Sequence, residues 1–348
     1  MGACMKTVHS IPITDISGRR RTLQICVGDV TDPTGPDPVD VLVISCFPDD
    51  YQPLPRTIVG QLHARGIDVG KLARNKAVDD RAQWQTWISH TLGKGASFGR
   101  IACFEHGLAR DPAAVVGNLF RALTGFALAP GSGEIGILRV PLLATGDQQA
   151  DKGEMIDALV RQAYNQLRLS LPVQTVQVVL YSGWEDVIQH AIRAALTISQ
   201  VQDEWASMNL APDPQFDFFL SYRRVDRSLA HRLLAGLMAR RPGLKVFLDE
   251  EALPYGVFWK PQLVGSIYNS HKFLCLITDS YADSRECIDE FHAALSCGRH
   301  RRDFLRPLQA LSSRTVEALP LAIRNLNLID ARCPPREFDA VLDAVLTS

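Results

Sequence analysis

The feature that most constrains the fold of this chain is an alternation of short apolar runs with helical stretches. Runs rich in Val, Ile and Leu are typical of strands that are buried on both faces of a sheet. In the first half they predict strands at 23–27, 39–45, 100–104, 136–141 and 176–181. Helical patterns separate them, at 56–65, 113–128, 153–170 and 184–200. This alternation predicts an α/β fold with a largely parallel sheet.

A pair of prolines divides the chain. Ala-Pro-Asp-Pro at 211–214 ends a long helical pattern over 184–208, because two prolines within four residues stop a helix. A second series of predicted strands follows at 216–221, 245–248, 273–278, 304–308 and 326–330, with helices at 226–240, 259–270, 284–297 and 336–346. We therefore predict an α/β domain over 1–183, a helical linker over 184–213 and a second α/β domain over 214–348.

The composition and the net charge of the chain argue against several classes of function. The net charge of −1 argues against broad electrostatic capture of nucleic acid or of an anionic membrane. No apolar run reaches the length of a membrane span, and the N-terminal residues lack a signal-peptide pattern, so we expect a cytoplasmic protein. The 8 cysteines are scattered without metal-ligand spacing. We expect them to be buried thiols in a reducing compartment, and we expect no metal site.

Polar residues crowd the end of the first strand of the second domain. Ser221, Tyr222 and Arg223 come directly at or after the strand 216–221. In parallel α/β sheets, ligands bind outside the carboxyl ends of the strands, so these residues are candidates for a site. Farther along, Ser284 is a plausible N-cap for a helix that places Glu290 about two turns from its start.

An ordered set of motifs in the last third of the chain resembles a TIR domain. The set comprises F-D-F-F-L-S-Y, V-F-L-D followed by Gly256 and Trp259, I-x-x-S at 267–270, and S-Y-A-D-S-R-E-C-I-D-E-F. The resemblance implies a flavodoxin-like fold with a five-stranded parallel sheet. Many TIR domains cleave NAD+ as glycohydrolases or cyclases, and others only bind each other. The catalytic glutamate of the family corresponds to Glu290, with Phe291 in place of the usual Leu.

The resemblance also implies a substrate site around Glu290. The residues that we expect to bind NAD+ are Ser221, Tyr222, Arg223, Trp259 and Ser284. Three alternatives remain open: Trp259 is an aromatic residue of the core, Arg223 belongs to a surface ion pair, or Glu290 is a solvated carboxylate on a helix face. NAD+ is the substrate here, and we expect no cofactor. TIR enzymes complete their site by self-association, which would involve the loop 250–258.

The first domain resembles a macrodomain, the ADP-ribose-binding α/β fold. The resemblance is carried by Q-I-C-V-G-D-V-T, by V-D-V-L-V-I-S, and by V-P-L-L-A-T-G-D-Q before a helix. It implies an ADP-ribose-type ligand held by the pair Asp29 and Val30 and by a phosphate loop of Thr145, Gly146 and Asp147. The segment 45–50 lacks the usual Gly run, so we do not expect hydrolytic removal of ADP-ribose. The alternative is a diverged domain that regulates or assembles the TIR domain.

Three functions follow from these resemblances. The first is a TIR NAD+ hydrolase or cyclase in immune signalling, such as defence against phage, which releases ADP-ribose or a cyclic isomer. In this case the first domain would be a sensor that gates the second through the helix 184–208. The second is a non-catalytic TIR scaffold for protein–protein assembly. The third is an effector that mimics host TIR domains, which would need a secretion route.

Overall fold

A computed structural model gives the structure of the protein. It describes residues 5–32, 38–93, 95–108, 111–129, 132–208, 210, 214–248, 261–299, 301, 303–313, 315–316, 319, 321–324, 326–332 and 338–347. The chain divides into two compact units, residues 1–127 with 131–203 and residues 128–130 with 204–348. The division falls inside the helix Val187–Ala206, within the segment predicted as a linker.

The first unit contains an eight-stranded mixed sheet. Its strands are β1 (Lys6–Thr14), β2 (Arg20–Gly28), β3 (Val39–Cys46), β4 (Lys76–Asp80), β5 (Thr86–Ser89), β6 (Phe98–Glu105), β7 (Ile135–Pro141) and β8 (Val173–Tyr181). Its helices are α1 (Ile58–Ala64), α2 (Val69–Arg74), α3 (Arg81–Trp84), α4 (Pro112–Ala127), α5 (Lys152–Arg168) and α6 (Val187–Ala206), which crosses the division. The order is β1-β2-β8-β7-β3-β6-β5-β4.

The middle of this sheet is parallel and its edges are antiparallel. Strands β2, β8, β7, β3 and β6 run parallel to one another, as the apolar runs predicted. The edge strands β1, β4 and β5 pair in antiparallel fashion and had no counterpart among the predicted strands. β1 and β4 are polar and largely exposed, so they lack the apolar run on which the prediction relied.

Alternation of side chains along β3 builds two cores. Leu42 and Ile44 join a buried cluster with Val59 and Leu62 of α1, whereas Val43 points to the opposite face. Helices α4 and α5 pack against each other, and α5 also contacts β1, β2 and β8. The sheet is therefore covered on both faces, which explains the continuous apolar character of its middle strands.

The second unit is a five-stranded parallel sheet, as the resemblance implied. Its strands are β9 (Phe216–Ser221), β10 (Val246–Leu248), β11 (Ser270–Ile277), β12 (Leu305–Gln309) and β13 (Ile329–Asp330), in the order β10-β9-β11-β12-β13. Its helices are α7 (Arg227–Arg240), α8 (Pro261–Tyr268), α9 (Arg285–Gly298), α10 (Leu321–Arg324) and α11 (Phe338–Leu346).

A row of three aromatic rings joins the first three strands of this sheet. The ring of Phe219 on β9 stacks on Phe247 of β10 at a centroid distance of 5.1 Å and on Phe273 of β11 at 5.2 Å. The alternate residues Phe218 and Leu220 point to the other face, where α7 and α11 cover them. Cross-strand aromatic pairs of this kind stabilise the pairing of neighbouring strands.

No helix among the described residues combines the length and the hydropathy needed to cross a membrane.

The aromatic row yields a prediction for stability. Phe219→Ala removes a fully buried ring between two partners, so the free energy of unfolding of the second unit should fall by about 3–5 kcal/mol. Phe216→Ala, on the same strand but only partly buried, is the matched control and should cost clearly less. Hydrogen exchange of the amides of β9 and β11 in the full chain measures both. Equal losses of protection in the two variants would contradict this prediction.

Candidate active site

The carboxyl edge of the second sheet brings polar residues from distant parts of the chain together. Strand β9 ends at Ser221, and its neighbour β11 leads through a short turn to α9, which carries Glu290. The Oγ atom of Ser284 accepts a hydrogen bond from the backbone N–H of Cys287 at 3.3 Å and caps this helix. The N-cap predicted from the sequence is confirmed, and it sets the point from which the helix runs past the end of β9.

Glu290 is a nearly buried carboxylate. Only 8% of the residue is exposed, and the hydroxyl of Ser221 donates a hydrogen bond to its Oε2 atom at 2.5 Å. The alternative of a solvated carboxylate on a helix face is therefore wrong. Burial of a carboxylate is costly unless hydrogen bonds offset the lost hydration, and Ser221 supplies one such bond.

Tyr281 is a third member of this cluster that the sequence analysis missed. Its side chain is fully buried, and its hydroxyl lies 2.9 Å from Ser221 Oγ and 3.1 Å from the carbonyl oxygen of Cys287. The Tyr belongs to the S-Y-A-D-S segment, three residues before the Ser284 cap. A buried polar tip needs a partner, but its identity depends on a contact 60 residues apart along the chain.

The ionisable groups around Glu290 are held in their neutral forms. Burial raises the pKa of the Tyr281 phenol, and the same effect raises the pKa of the Cys275 and Cys287 thiols. The charge of Glu290 raises all three further, because a second anion nearby would be repelled. These groups can donate hydrogen bonds to the site but do not serve as bases at neutral pH.

Arg223 lies beside the helix cap. Its Nη1 atom donates to Ser284 Oγ at 2.9 Å and forms an ion pair with Glu286 Oε2 at 3.4 Å. Both partners of the ion pair are about half exposed, so the pair itself contributes roughly 0–1 kcal/mol. The alternative of an ion pair for Arg223 is thus present in the structure, and it leaves the guanidinium close to the site surface.

The remaining predicted site residues divide into two groups. Tyr222 packs against the cluster that α7 and α11 cover, on the face opposite to Ser221, so the structure does not bring its ring to Glu290. Trp259 and the loop 250–258 lie outside the described residues. Asp226, in the polar segment after β9, was assigned no role from the sequence, and its Oδ2 atom accepts hydrogen bonds from Thr278, at 2.7 Å, and from Ser280 after the end of β11.

The first unit contains a cavity of ≈ 390 Å³. All five residues that the sequence analysis proposed for an ADP-ribose-type ligand line it, namely Asp29, Val30, Thr145, Gly146 and Asp147. Tyr181 and Trp184, which the analysis had not assigned, also line it and meet edge to face at a centroid distance of 6.2 Å. The cavity thus combines carboxylates, a short loop before α5 and an aromatic wall.

Buried polar side chains fix the turn that carries Asp29. The guanidinium of Arg139 donates to the carbonyl oxygens of Val30, at 3.3 Å, and Asp32, at 2.6 Å. Asp29 Oδ1 accepts from the backbone N–H and the hydroxyl of Thr31, both at 2.8 Å. Arg139 thus holds the backbone of this turn, and Thr31 within the turn fixes the orientation of the Asp29 carboxylate.

Glu105 holds the segment after β3, part of which lines the cavity. This buried carboxylate accepts hydrogen bonds from Trp87 Nε1 at 2.6 Å, from the Tyr51 hydroxyl and from the backbone N–H of Asp49 at 3.3 Å. Burial and the neighbouring Glu105 raise the pKa of Tyr51. The segment after β3, which lacks the expected Gly run, is therefore held by side-chain contacts, and it contributes Phe47 to the cavity wall.

Comparison with curated protein sequences gives no match. A macrodomain of Oceanobacillus iheyensis with ADP is similar to 57% of this chain and is matched over 100% of its own length, at 14% identity and a TM-score of 0.41. The TIR domain of the Toll-related receptor TRR-2 from Hydra magnipapillata is matched over 95% of its length and 38% of this chain, at 17% identity and a TM-score of 0.30.

A metazoan TIR-STING receptor from C. gigas matches 38% of this chain and is covered over 41% of its own length, at 21% identity and a TM-score of 0.29. The family model described as TIR domain matches residues 218–346. This match begins on β9 and ends in α11, so it includes Ser221, Tyr281 and Glu290. The second unit of the chain therefore contains a TIR domain over residues 218–346.

Proposed function

We propose that this protein cleaves the bond between nicotinamide and ribose in NAD+ and that Glu290 is the catalytic residue. The observation that carries the proposal is the nearly buried Glu290 carboxylate at the carboxyl edge of a parallel sheet, within a TIR domain. This edge is where α/β sheets bind their ligands. The residue keeps an exposed fraction of 8%, and the Ser221 hydroxyl donates a hydrogen bond to its carboxylate.

One carboxylate is sufficient for this reaction. The bond from ribose C1′ to the nicotinamide nitrogen breaks, and its electron pair neutralises the cationic ring, which leaves without a general acid. Positive charge develops on the ribose as in glycoside cleavage, and an adjacent anion stabilises it. Water then adds to C1′ and releases a proton, giving ADP-ribose. Attack by another group of the same molecule gives a cyclic isomer instead.

Arg223 is the side chain that we assign to the diphosphate of NAD+. Its guanidinium lies beside the N-terminus of α9, where charge and backbone dipole both favour anions. The Oγ atom of Ser284 accepts a hydrogen bond from that guanidinium at 2.9 Å, so we assign Ser284 an indirect role in NAD+ binding. Stacking by Tyr222 and Trp259 stays a prediction, and the ring of Tyr222 would have to leave its packing against the core cluster.

The competing function is a TIR scaffold without activity. The bond from Ser221 to Glu290 ties α9 to the end of β9, and this contact would stabilise the domain even if no substrate bound there. Immune signalling, including defence against phage, is compatible with either function, because a TIR assembly and a TIR product can both carry a signal.

A substitution of Glu290 distinguishes the enzyme from the scaffold. Glu290→Gln keeps the size of the side chain and one oxygen that can accept from Ser221 but removes the charge, so nicotinamide release from NAD+ should fall about 100-fold or more. Chromatography of nicotinamide and of the ribose-containing product measures this and identifies the product. The control is Asp339→Asn, a change of equal charge on an exposed residue of α11, which should retain activity. A fully active Glu290→Gln enzyme, or a wild type that leaves NAD+ intact, would favour the scaffold.

We further propose that catalysis requires self-association of the TIR domain, because TIR enzymes complete their site in this way. The activity per molecule should then rise with protein concentration, together with the molar mass measured by light scattering. The loop 250–258, which we expect to reach the neighbouring molecule, lies outside the described residues. A constant activity per molecule from a protein that remains monomeric over the whole range would exclude this requirement.

The cavity of the first unit supports a second, regulatory proposal. We propose that it binds an ADP-ribose-type nucleotide, with the Asp29 carboxylate accepting from the adenine amino group, Tyr181 and Trp184 beside the base, and the loop of Thr145 and Gly146 at the phosphates. Helix α6 starts three residues after Trp184 and continues into the second unit. The chain thus connects the cavity directly to the TIR domain.

Calorimetry on the full chain tests this binding. The protein carries Glu290→Gln so that no nucleotide is consumed, and ADP-ribose and its cyclic isomers are titrated in turn. Asp29→Asn should weaken binding about 10-fold, because the amide can no longer accept with both oxygens. Asp339→Asn should not change it. The absence of heat with every nucleotide would reject the sensor.

A further inference from the structure

The proposed site contains a cluster of three buried polar residues that differ slightly in exposure. The residue Tyr281 is 0% exposed, Ser221 is 1% exposed and Glu290 is 8% exposed. Glu290 is therefore the most exposed residue of this cluster. The hydroxyl of Ser221, which the sequence analysis assigned to substrate binding, instead contacts Glu290 and Tyr281, and the residue is almost fully buried.

Counting protons gives the direction of the hydrogen bonds. The single proton of Ser221 is donated to Glu290 Oε2, because a carboxylate can only accept. The 2.9 Å contact between the two hydroxyls then leaves Tyr281 as the donor and Ser221 as the acceptor, and the single Tyr281 proton is shared between Ser221 Oγ and the Cys287 carbonyl oxygen, which lies at 3.1 Å. The bonds run from Tyr281 to Ser221 to Glu290, and each donor polarises the next in a dry environment.

Two members of this chain of bonds are anchored to the backbone. Ser221 belongs to β9, in the middle of three strands joined by the aromatic row. The Tyr281 hydroxyl also lies within 3.1 Å of the Cys287 carbonyl oxygen, three residues before Glu290 on the same helix. The cluster therefore fixes the carboxylate relative to the sheet and relative to its own helix backbone.

We propose that Ser221 and Tyr281 are positioning residues that act on NAD+ cleavage through Glu290 and not by contact with the substrate. This inference rests on the proposed function. A Glu side chain has three rotatable bonds, and stabilisation of a developing charge depends on a fixed distance to the anion. Ser221 removes this freedom at Oε2, and Tyr281 keeps the Ser221 hydroxyl oriented with its proton toward the carboxylate.

Steady-state kinetics of nicotinamide release by the full chain test the proposal. Ser221→Ala should lower kcat about 10- to 100-fold, the size expected for loss of a hydrogen bond to a charged group, and should leave KM within about 3-fold. Tyr281→Phe keeps the ring but removes the second hydroxyl, and should lower kcat by a smaller factor of about 3- to 10-fold. Ser221→Thr, which retains the hydroxyl, should restore most of the activity lost in Ser221→Ala.

The split between kcat and KM separates this role from others. Ser221→Ala that raises KM at constant kcat would show that the hydroxyl binds substrate, and unchanged kcat and KM would show that it is irrelevant to catalysis. Either result overturns the proposal. Thermal unfolding of each variant detects damage to the fold. If a Ser221 variant fails to fold, Tyr281→Phe decides, because it removes a single oxygen, and unchanged kcat in that variant overturns the proposal.

Failure of the positioning role and failure of the proposed function give different results. A wild type without NAD+ cleavage, or an active Glu290→Gln variant, removes both. An active wild type and an inactive Glu290→Gln variant, combined with normal kcat in Ser221→Ala and Tyr281→Phe, removes the positioning role alone.

Discussion

The parallel register of β9 between β10 and β11 is the constraint on which the candidate active site depends. It pairs Cys275 with Ser221 and so aligns the carboxyl ends of neighbouring strands. Phe219 stabilises this register from one face and the cluster under α7 and α11 from the other. A slip of β9 by one residue would turn Ser221 away from Glu290 and Tyr222 toward it, because side chains alternate between the two faces.

In the first unit, hydrogen bonds of buried charged side chains shape the candidate site. The cavity is lined by strand ends, by α1 and by connecting segments, and two buried charged side chains hold two of these segments. Arg139 binds the carbonyl oxygens of the turn after β2, and Glu105 binds donors of the segment after β3. Buried charges are costly unless several partners satisfy them, and each of these has several. The sensor role proposed for this cavity thus rests on walls that are shaped in advance.

Much of this architecture could be predicted from local patterns. The predicted strand 216–221 coincides with β9, the Ser284 cap is where it was expected, and the middle strands of both sheets follow their apolar runs. The edge strands β1 and β4 could not be found this way, because a polar strand becomes visible only through its partner. Tyr281 and Glu105 were missed for a related reason. Their roles depend on contacts to Ser221 and Tyr51, 60 and 54 residues away.

The buried thiols of the protein have a practical consequence. The six described cysteines are all buried, and burial raises the pKa of Cys275 and Cys287 beside Glu290. A thiol reacts with electrophiles as its thiolate and only when the reagent can reach it. Burial therefore protects these two side chains both by raising their pKa and by blocking access. Alkylation at either position therefore requires the thiol to become exposed. The rate of this alkylation therefore measures how often the region around Glu290 opens.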